Sequence, residues 1–246
     1  MKNKIPKIIH YCWFGRNPES ELMNKCIESW IKHLPDYKLI LWNEENFDIN
    51  SNTFVKEAYE AKKWAFVSDY VRFYALYNHG GIYMDTDVEV LKNLDHFLEH
   101  QAFTGYENEI LIPTGIIGSS KGHPWSKEIM QYYEQRSFIR DDGSLSVKPN
   151  TAIITKITTD KYGFSISKGY QELKNGLVIY PKEYFCPKSY YDNKIILTEN
   201  SYTIHHFSGS WHTAFDKYKL KLHRIFIAIF GKKLHTYIIK KRHLYK

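Results

Sequence analysis

The sequence lacks the features that define several classes of protein. Its three cysteines, Cys12, Cys26 and Cys186, show neither paired nor zinc-ligand spacing, so we expect no disulfide framework and no structural zinc site. No run of about 18 or more apolar residues is present, so no membrane-spanning helix is predicted, and the first residues have no apolar signal-peptide core. These absences predict a soluble protein of the reducing cytoplasm.

Phosphate-binding loops, internal repeats and low-complexity tracts are also missing. Without a Walker-type glycine-rich loop, we do not expect a phosphoryl- or nucleotidyl-transfer enzyme of that kind. Most of the chain also has no excess of basic residues. Ten of the 34 Lys and Arg residues, but only one acidic residue, lie between Asp216 and Lys246. We expect no nucleic-acid partner, since the body of the chain lacks a basic patch.

The most informative stretch that is present runs from Trp64 to Val90. Apolar and aromatic residues at helical spacing predict a helix, and Gly80-Gly81 is typical of its end, because glycine readily adopts the left-handed conformation of a C-cap. The next residues, Ile82–Met84, predict a buried strand that delivers Asp85 and Asp87 to one side of an extended segment. Two crowded carboxylates favour a divalent cation; the alternative is a polar turn.

Elsewhere the pattern predicts an α/β domain. A strand within Ile5–Phe14, a helix through Leu22–Ile31 and a strand at Tyr37–Trp42 form a βαβ unit, which favours a parallel sheet. Further strands are predicted at 88–90, 102–106 and 201–206, a short surface helix at 91–100, and helices at 125–136 and 151–159. The predicted organisation is an α/β domain over residues 1–213, followed by a basic, helical C-terminal appendage over 214–246.

A second pair of charged residues lies on the predicted helix. Asp69 and Arg72 are three residues apart, so they share one helix face and lie within contact distance. That helix leads directly into the strand that carries Asp85 and Asp87. An Arg beside a divalent ion would neutralise a diphosphate, whereas the alternative is an ordinary surface ion pair.

Three motifs in this chain resemble one family. Ser68-Asp69-x-x-Arg72 followed by Gly80-Gly81-Ile82-Tyr83-x-Asp85-x-Asp87 is similar to the signature of glycosyltransferases with a DXD motif, which include Och1-like mannosyltransferases, capsular polysaccharide transferases and clostridial glucosylating toxins. The opening 5–15 resembles the first strand of that family (family 32 and its relatives), and 205–211 resembles its closing motif. The resemblance extends over residues 5–212.

The resemblance implies a GT-A-type, Rossmann-like fold with a mixed, mainly parallel sheet flanked by helices. It implies a hexosyltransferase that uses a nucleoside-diphosphate sugar, most of all a UDP-sugar, with Mn²⁺ or Mg²⁺ and with retention of anomeric configuration. The expected acceptor is a glycan or a lipid-linked oligosaccharide in bacterial surface polysaccharide synthesis. The alternative is a non-catalytic nucleotide-sugar- or carbohydrate-binding protein of the same fold, against which the intact set of charged residues argues.

The resemblance also implies roles for individual residues. Asp69, Arg72, Asp85 and Asp87 would be catalytic, with Trp13 stacked on the nucleobase; the alternative for Trp13 is the core. The donor-binding residues would be His10, Cys12, Trp13, Ser68, Asp69, Arg72, Tyr83, Asp85, Ser210 and Trp211. The metal ligands would be Asp85, Asp87 and His206, although strand alternation directs only one of His205 and His206 inward. Two stretches depart from the family pattern, Pro113-Thr114-Gly115 and Asn150-Thr151-Ala152. The resemblance therefore does not indicate which donor sugar the protein uses.

The C-terminal segment 217–246 alternates basic with apolar residues. An amphipathic basic helix of this kind is typical of a segment that lies on an anionic membrane surface. We therefore expect a protein that is cytoplasmic and peripheral on the inner face of the cytoplasmic membrane. The alternatives are that the apolar side packs on the domain or in a dimer.

Overall fold

The computed structural model describes residues 4–113, 115–166, 169–190 and 192–209, here called the described chain. Its strands are β1 (Ile8–Cys12), β2 (Lys38–Trp42), β3 (Gly81–Met84), β4 (Val88–Val90), β5 (Ala102–Gly105), β6 (Ile116–Ser119), β7 (Gln171–Glu172), β8 (Leu177–Tyr180) and β9 (Thr203–His205). Its α-helices are α1 (Glu21–His33), α2 (Thr53–Glu60), α3 (Trp64–His79), α4 (Pro124–Glu134), α5 (Asn150–Ile157) and α6 (Lys182–Phe185).

A seven-stranded sheet in the order β2-β1-β3-β6-β5-β8-β7 forms the centre of the domain. Pairing is parallel between β1 and β2, β1 and β3, and β5 and β8, and antiparallel at β3–β6, β5–β6 and β7–β8. All strands except β6 and β7 therefore point the same way. This confirms the predicted α/β class with a mixed, mainly parallel sheet flanked by helices. A separate antiparallel pair joins β4 to β9.

Helix α3 ends as the sequence predicts. Gly80 and Gly81 have φ values of 68° and 117°, and a Cβ on Gly81 would lie 2.7 Å from the carbonyl oxygen of Ile8. Glycine is therefore required both by the backbone conformation and by the close approach of β1. The chain enters β3 immediately after this turn, so the position of α3 fixes the position of the residues that follow β3.

The sheet separates two hydrophobic cores, and β3 contributes to both. Ile82 and Met84 pack in the core beneath α1, with Trp30, whereas Tyr83 between them packs in the core beneath α3. This period of two is the strand alternation that the sequence predicts. On the α1 side, the Trp30 indole N–H donates to the carbonyl of Val88 at 2.7 Å, which ties α1 to β4.

The carboxyl ends of β1, β3, β5 and β8 meet at one edge of the sheet, because these strands run in the same direction. Such an edge is where open α/β sheets place their ligands. The predicted surface helix at 91–100 is only a short 3₁₀ turn, Asp95–Glu99. The appendage predicted at 214–246 lies outside the described chain. Within the described chain, no helix is long and apolar enough to span a membrane.

Candidate active site

Asp85 and Asp87 lie in a tight turn between β3 and β4. The Val88 N–H donates to the carbonyl of Asp85 at 3.0 Å, and the Asp85 N–H donates to the carbonyl of Gly115 at 2.8 Å. The extended segment predicted here is therefore wrong, although the predicted convergence of the two carboxylates is correct. The turn, and not strand alternation, directs both side chains to the same place.

The third member of this cluster is His205. Its Nε2 lies 3.3 Å from Asp87 Oδ1 and 4.0 Å from Asp85 Oδ2. The prediction of His206 as the late metal ligand is corrected by this geometry, because the His206 ring points away and contacts Glu89 Oε2 at 2.8 Å. The register of β9 on β4 decides which histidine faces inward, since it pairs His205 with Val88, the residue after Asp87.

The residues after β9 wrap around Asp87. The His206 N–H donates to the carbonyl of Asp87 at 2.9 Å, and the Ser208 N–H donates to Asp87 Oδ2 at 2.7 Å. Phe207 between them has a φ of 56°, a left-handed conformation that costs a non-glycine residue roughly 1–2 kcal/mol. The backbone accepts this strain where it turns the Ser208 N–H toward the carboxylate.

Asp87 and His205 stabilise each other's charge. Burial opposes the ionised carboxylate, but the His205 imidazolium and Ser208 hold the pKa of Asp87 below its usual range. Burial likewise opposes a charged His205, and the carboxylate of Asp87 nevertheless raises the pKa of His205 well above its usual value. Without a metal, a proton on His205 thus supplies the positive charge that the carboxylates require.

The cluster fits a divalent cation. One ligand atom from each of Asp85, Asp87 and His205 lies within 4.8 Å of the others. A Cβ on Gly115 would lie 3.2 Å from Asp85 Oδ2, 3.2 Å from the His205 ring and 2.7 Å from Val88. Only glycine therefore leaves room beside Asp85 and His205, and a bound ion would take the place of the His205 proton.

Arg72 connects the cluster to α3. Its guanidinium contacts Asp69 Oδ1 at 3.0 Å and Asp85 Oδ1 at 3.4 Å, with the three side chains 7%, 9% and 26% exposed. It also donates from Nε to the carbonyl of Ser68 at 3.2 Å and lies 4.6 Å from the centre of the Tyr83 ring. The alternative of a surface ion pair is therefore wrong: Asp69 and Arg72 form a buried pair that reaches the Asp85 carboxylate.

Asp69 has a second partner that the sequence did not single out for this role. The Asn150 side-chain amide, at the start of α5, donates to Asp69 Oδ1 at 2.6 Å. Burial raises the pKa of Asp69 to about 6, and Asp85 adds to that shift, whereas Arg72 and Asn150 oppose it. Both contacts use Oδ1, and within the described chain no hydrogen bond to Oδ2 is recorded, so Oδ2 is left for a ligand.

Tyr83 and Ser68 complete the predicted donor side. The Tyr83 hydroxyl donates to Asp85 Oδ1 at 3.0 Å, so this ring supports Asp85 from beneath. The Ser68 hydroxyl donates to the carbonyl of Trp64 at 3.2 Å, within α3. Cys12 lies next to them at the end of β1, and burial raises the pKa of its thiol to about 12. The thiol is therefore neutral and lies in the core.

The two other predicted residues of β1 differ in placement. Trp13 is half-buried, just beyond the end of β1, and its indole N–H donates to the carbonyl of Asn17 at 2.8 Å. His10, predicted as donor-binding, is instead fully buried: it accepts from the Trp42 indole N–H at 3.1 Å and its Nε2 contacts the carbonyl of Gly80 at 2.8 Å. Both ring nitrogens are used inside the core, so none remains for a ligand. Ser210 and Trp211 lie outside the described chain.

Residues 20–104 match the family described as "Glycosyltransferase sugar-binding region containing DXD motif". The match includes Asp69, Arg72, Asp85 and Asp87, and it ends within β5.

The chain is also similar to proteins that are named as glycosyltransferases. The chain is 30% identical over 141 residues to Inositol phosphoceramide mannosyltransferase 3 of Schizosaccharomyces pombe, an alignment that covers 54% of this chain and 38% of that protein. It is 30% identical over 172 residues to an uncharacterised glycosyltransferase of Acanthamoeba polyphaga mimivirus, covering 63% of this chain and 64% of that one. The chain thus matches well under half of the fungal relative.

One solved structure to which the chain is similar is the PaToxG glycosyltransferase. The two chains are 17% identical, with a TM-score of 0.48, and the superposition covers 64% of this chain and 70% of that one.

Proposed function

We propose that this chain is a metal-dependent hexosyltransferase that moves a sugar from a nucleoside-diphosphate sugar to a hydroxyl of a glycan or glycolipid. The observation that carries the proposal is the placement of Asp85, Asp87 and His205 next to the buried Asp69–Arg72 pair. A cation cluster beside an Arg suits a diphosphate, and a buried carboxylate with a free oxygen suits sugar hydroxyls. The family match over residues 20–104 supports the same class of reaction.

We propose Mn²⁺ as the ion, held by Asp85, Asp87 and His205. Mn²⁺ accepts carboxylate oxygens, and an imidazole nitrogen suits it better than Mg²⁺, which strongly prefers oxygen ligands in ideal octahedral geometry. When bound, the ion would act as a Lewis acid toward the diphosphate of the donor. The ion would replace the proton that His205 carries in its absence.

The chain's own residues would orient the donor. Asp69 Oδ2 would accept a hydrogen bond from a hydroxyl of the donor sugar, while Asn150 and Arg72 hold Oδ1 in place. The Arg72 guanidinium, fixed between Asp69 and Asp85, would offset the negative charge that develops on the leaving diphosphate. Trp13, half-buried beyond β1, would stack on the nucleobase, with a UDP-sugar as the first donor to test.

The anomeric carbon would acquire oxocarbenium character as the bond to the diphosphate breaks. We propose front-side substitution with retention, in which the leaving phosphate oxygen accepts the proton of the attacking acceptor hydroxyl. The bond from the anomeric carbon to the acceptor oxygen forms as the bond to the phosphate oxygen breaks, so the atoms balance without a covalent enzyme intermediate.

For the acceptor, we propose a glycan or a glycolipid. The fungal relatives have names that specify inositol phosphoceramide and mannose, which supports a polyol on a lipid and a hexosyl group. None of these relatives is named for surface polysaccharide synthesis, so we propose the wider acceptor class of glycans and glycolipids. The membrane contact proposed for 217–246 would bring the protein to a lipid-linked acceptor at the cytoplasmic face.

The test is a screen of UDP- and GDP-sugars for thermal stabilisation of the protein, with and without Mn²⁺. We expect at least one nucleotide sugar to raise the unfolding temperature only when Mn²⁺ is present, and to be hydrolysed or transferred. Asp87→Asn should abolish both effects, whereas Asp160→Asn, at an exposed helical ion pair, should abolish neither. If no nucleotide sugar stabilises the protein with Mn²⁺, the proposal fails; stabilisation without turnover would instead indicate the non-catalytic binder.

A further inference from the structure

Two charged side chains follow neighbouring parallel strands at the same edge of the sheet as Asp85. Gly105 and Tyr180 form the last paired positions of β5 and β8, and the Tyr106 N–H continues the ladder to the carbonyl of Tyr180 at 3.1 Å. Glu107 lies in the loop two residues beyond Gly105, and Lys182 begins α6 two residues beyond Tyr180, so both residues follow these strands at the same edge of the sheet. Only β6 separates β5 from β3, so Glu107 and Asp85 leave the sheet about 10 Å apart, at ~4.8 Å per strand.

The backbone around Glu107 is well anchored. The Glu107 N–H donates to the carbonyl of Leu111 at 2.9 Å, and the Asn108 side chain accepts from the backbone of Ile110 and Leu111 at 3.0 Å each. Further along the same loop, the Thr155 hydroxyl bonds to both the N–H and the carbonyl of Ile112. Glu107 is therefore fixed in position by its surroundings.

The carboxylate of Glu107 has no evident structural partner. Within the described chain no hydrogen bond or ion pair is recorded for it, and none for the side chain of Lys182 beside it. Burial raises the pKa of Glu107 to about 7; the nearby Asp85 adds to the shift, whereas His205, Lys182 and Arg72 oppose it. Glu107 is half-buried, so a carboxylate that lacks a donor from the described chain is free to accept a hydrogen bond from a ligand at this edge of the sheet.

Glu107 is also separate from the candidate metal cluster. The ligand atoms that lie within 4.8 Å of one another belong to Asp85, Asp87 and His205, and Glu107 is not among them. The proposed donor residues Asp69 and Arg72 lie on α3, beneath the β1–β3 half of the sheet, whereas Glu107 follows β5 on the far side of β6. A sugar held at Asp69 and Asp85 would therefore be open toward Glu107.

We propose that Glu107 is the acceptor-binding residue of this site: its carboxylate accepts a hydrogen bond from a hydroxyl of a sugar or polyol acceptor and holds the attacking oxygen beside the donor sugar. Lys182 is a positioning residue that supports the charge of the carboxylate from the start of α6, which follows β8. This inference rests on the proposed function. It adds no proton transfer, since the acceptor proton still goes to the leaving phosphate oxygen.

The test compares Glu107→Gln with the wild type and with Glu109→Gln, a half-buried control in the same loop. For each protein, we would measure Mn²⁺ affinity, donor affinity, donor hydrolysis and transfer to a panel of sugars, inositol and inositol-containing glycolipids. We expect Glu107→Gln to keep the first three within about threefold and to lose about 10- to 100-fold in kcat/KM for the acceptor, mainly through KM. Its unfolding temperature should not fall, because an amide costs less to bury than a carboxylate.

Three results would overturn the inference while leaving the proposed function intact. An equal loss of hydrolysis and transfer would place Glu107 at the donor. A loss of Mn²⁺ affinity would place Glu107 with the metal. Unchanged transfer would show that Glu107 does not bind the acceptor. A wild-type protein that binds no nucleotide sugar with Mn²⁺ would instead overturn the proposed function, and the inference with it. The wild-type and variant measurements therefore separate the two failures.

Discussion

Replacement of Arg72 by Met would test the buried charge network directly. Arg72 lies between Asp69 and Asp85 and is 7% exposed, and its hydrocarbon stem is matched in length by Met. The substitution therefore removes the positive charge with little change in packing. It leaves two carboxylates close together at the base of the site, with Asn150 and Tyr83 as their neutral partners.

The expected loss is about 3–5 kcal/mol of unfolding free energy, the usual cost of removing one member of a buried ion pair. In a domain of this size, each kcal/mol lowers the unfolding temperature by about 2–4 °C, so the shift should be ~6–20 °C. Adding Asp69→Asn to Arg72→Met should recover part of this loss, because one of the two unpaired carboxylates is then neutral. In the wild type, Asp69→Asn alone should cost less than the Arg72 variant.

The assay is thermal unfolding of the wild type, the two single variants and the double variant at pH 8 and pH 5. Because burial raises the pKa of Asp69 to about 6 even beside Arg72, loss of Arg72 raises it further. The carboxyl then takes up a proton as the pH falls, and the deficit of the Arg72 variant should be smaller at pH 5 than at pH 8. Equal deficits at both pH values, together with additive single losses, would refute the reasoning.

Two further predictions concern histidines. Burial lowers the pKa of His10 to about 4, so His10 contributes stability above about pH 6.5 that is lost as the pH falls toward 4; this loss should total about 3 kcal/mol. Urea unfolding of His10→Gln should show a flatter pH dependence than the wild type, and an unchanged slope would contradict the buried neutral ring. His205→Ala should lower Mn²⁺ affinity by at least ~10-fold in calorimetric titration, whereas His206→Ala should change it less than about threefold; the reverse order would reinstate His206.

Much of this fold follows from local sequence patterns. The helix that carries Asp69 and Arg72, its glycine end and the strand before Asp85 are confirmed, because periodicity and glycine chemistry act over a few residues. The convergence of Asp85 and Asp87 is confirmed too, but a turn brings them together and not the extended segment that strand alternation predicts. Local patterns predict which elements form better than they predict the exact path between them.

The residues that were misassigned depend on long-range contacts. His205 and not His206 faces the two aspartates because of the register between β9 and β4, which no local pattern in 201–206 fixes. His10 is part of the core because Trp42 and Gly80, both distant in sequence, meet its two nitrogens. Glu107 was missed because the sequence does not show that its carboxylate lacks a partner in the described chain. That becomes visible only when β5 and β8 are paired and the loop after β5 is in place.

Because β9 pairs with β4, the candidate site is completed only late in synthesis of the chain. The two aspartates lie in the first half of the chain, but His205 and the Ser208 N–H that complete their surroundings are synthesised much later. Until β9 is added, the β4 edge has no partner strand, and Asp87 lacks the His205 side chain that offsets its charge. A shortened product that ends before Thr203 would retain the whole Asp-x-Asp signature and lack the proposed third ligand, His205. Metal binding would thus distinguish finished domains from incomplete ones.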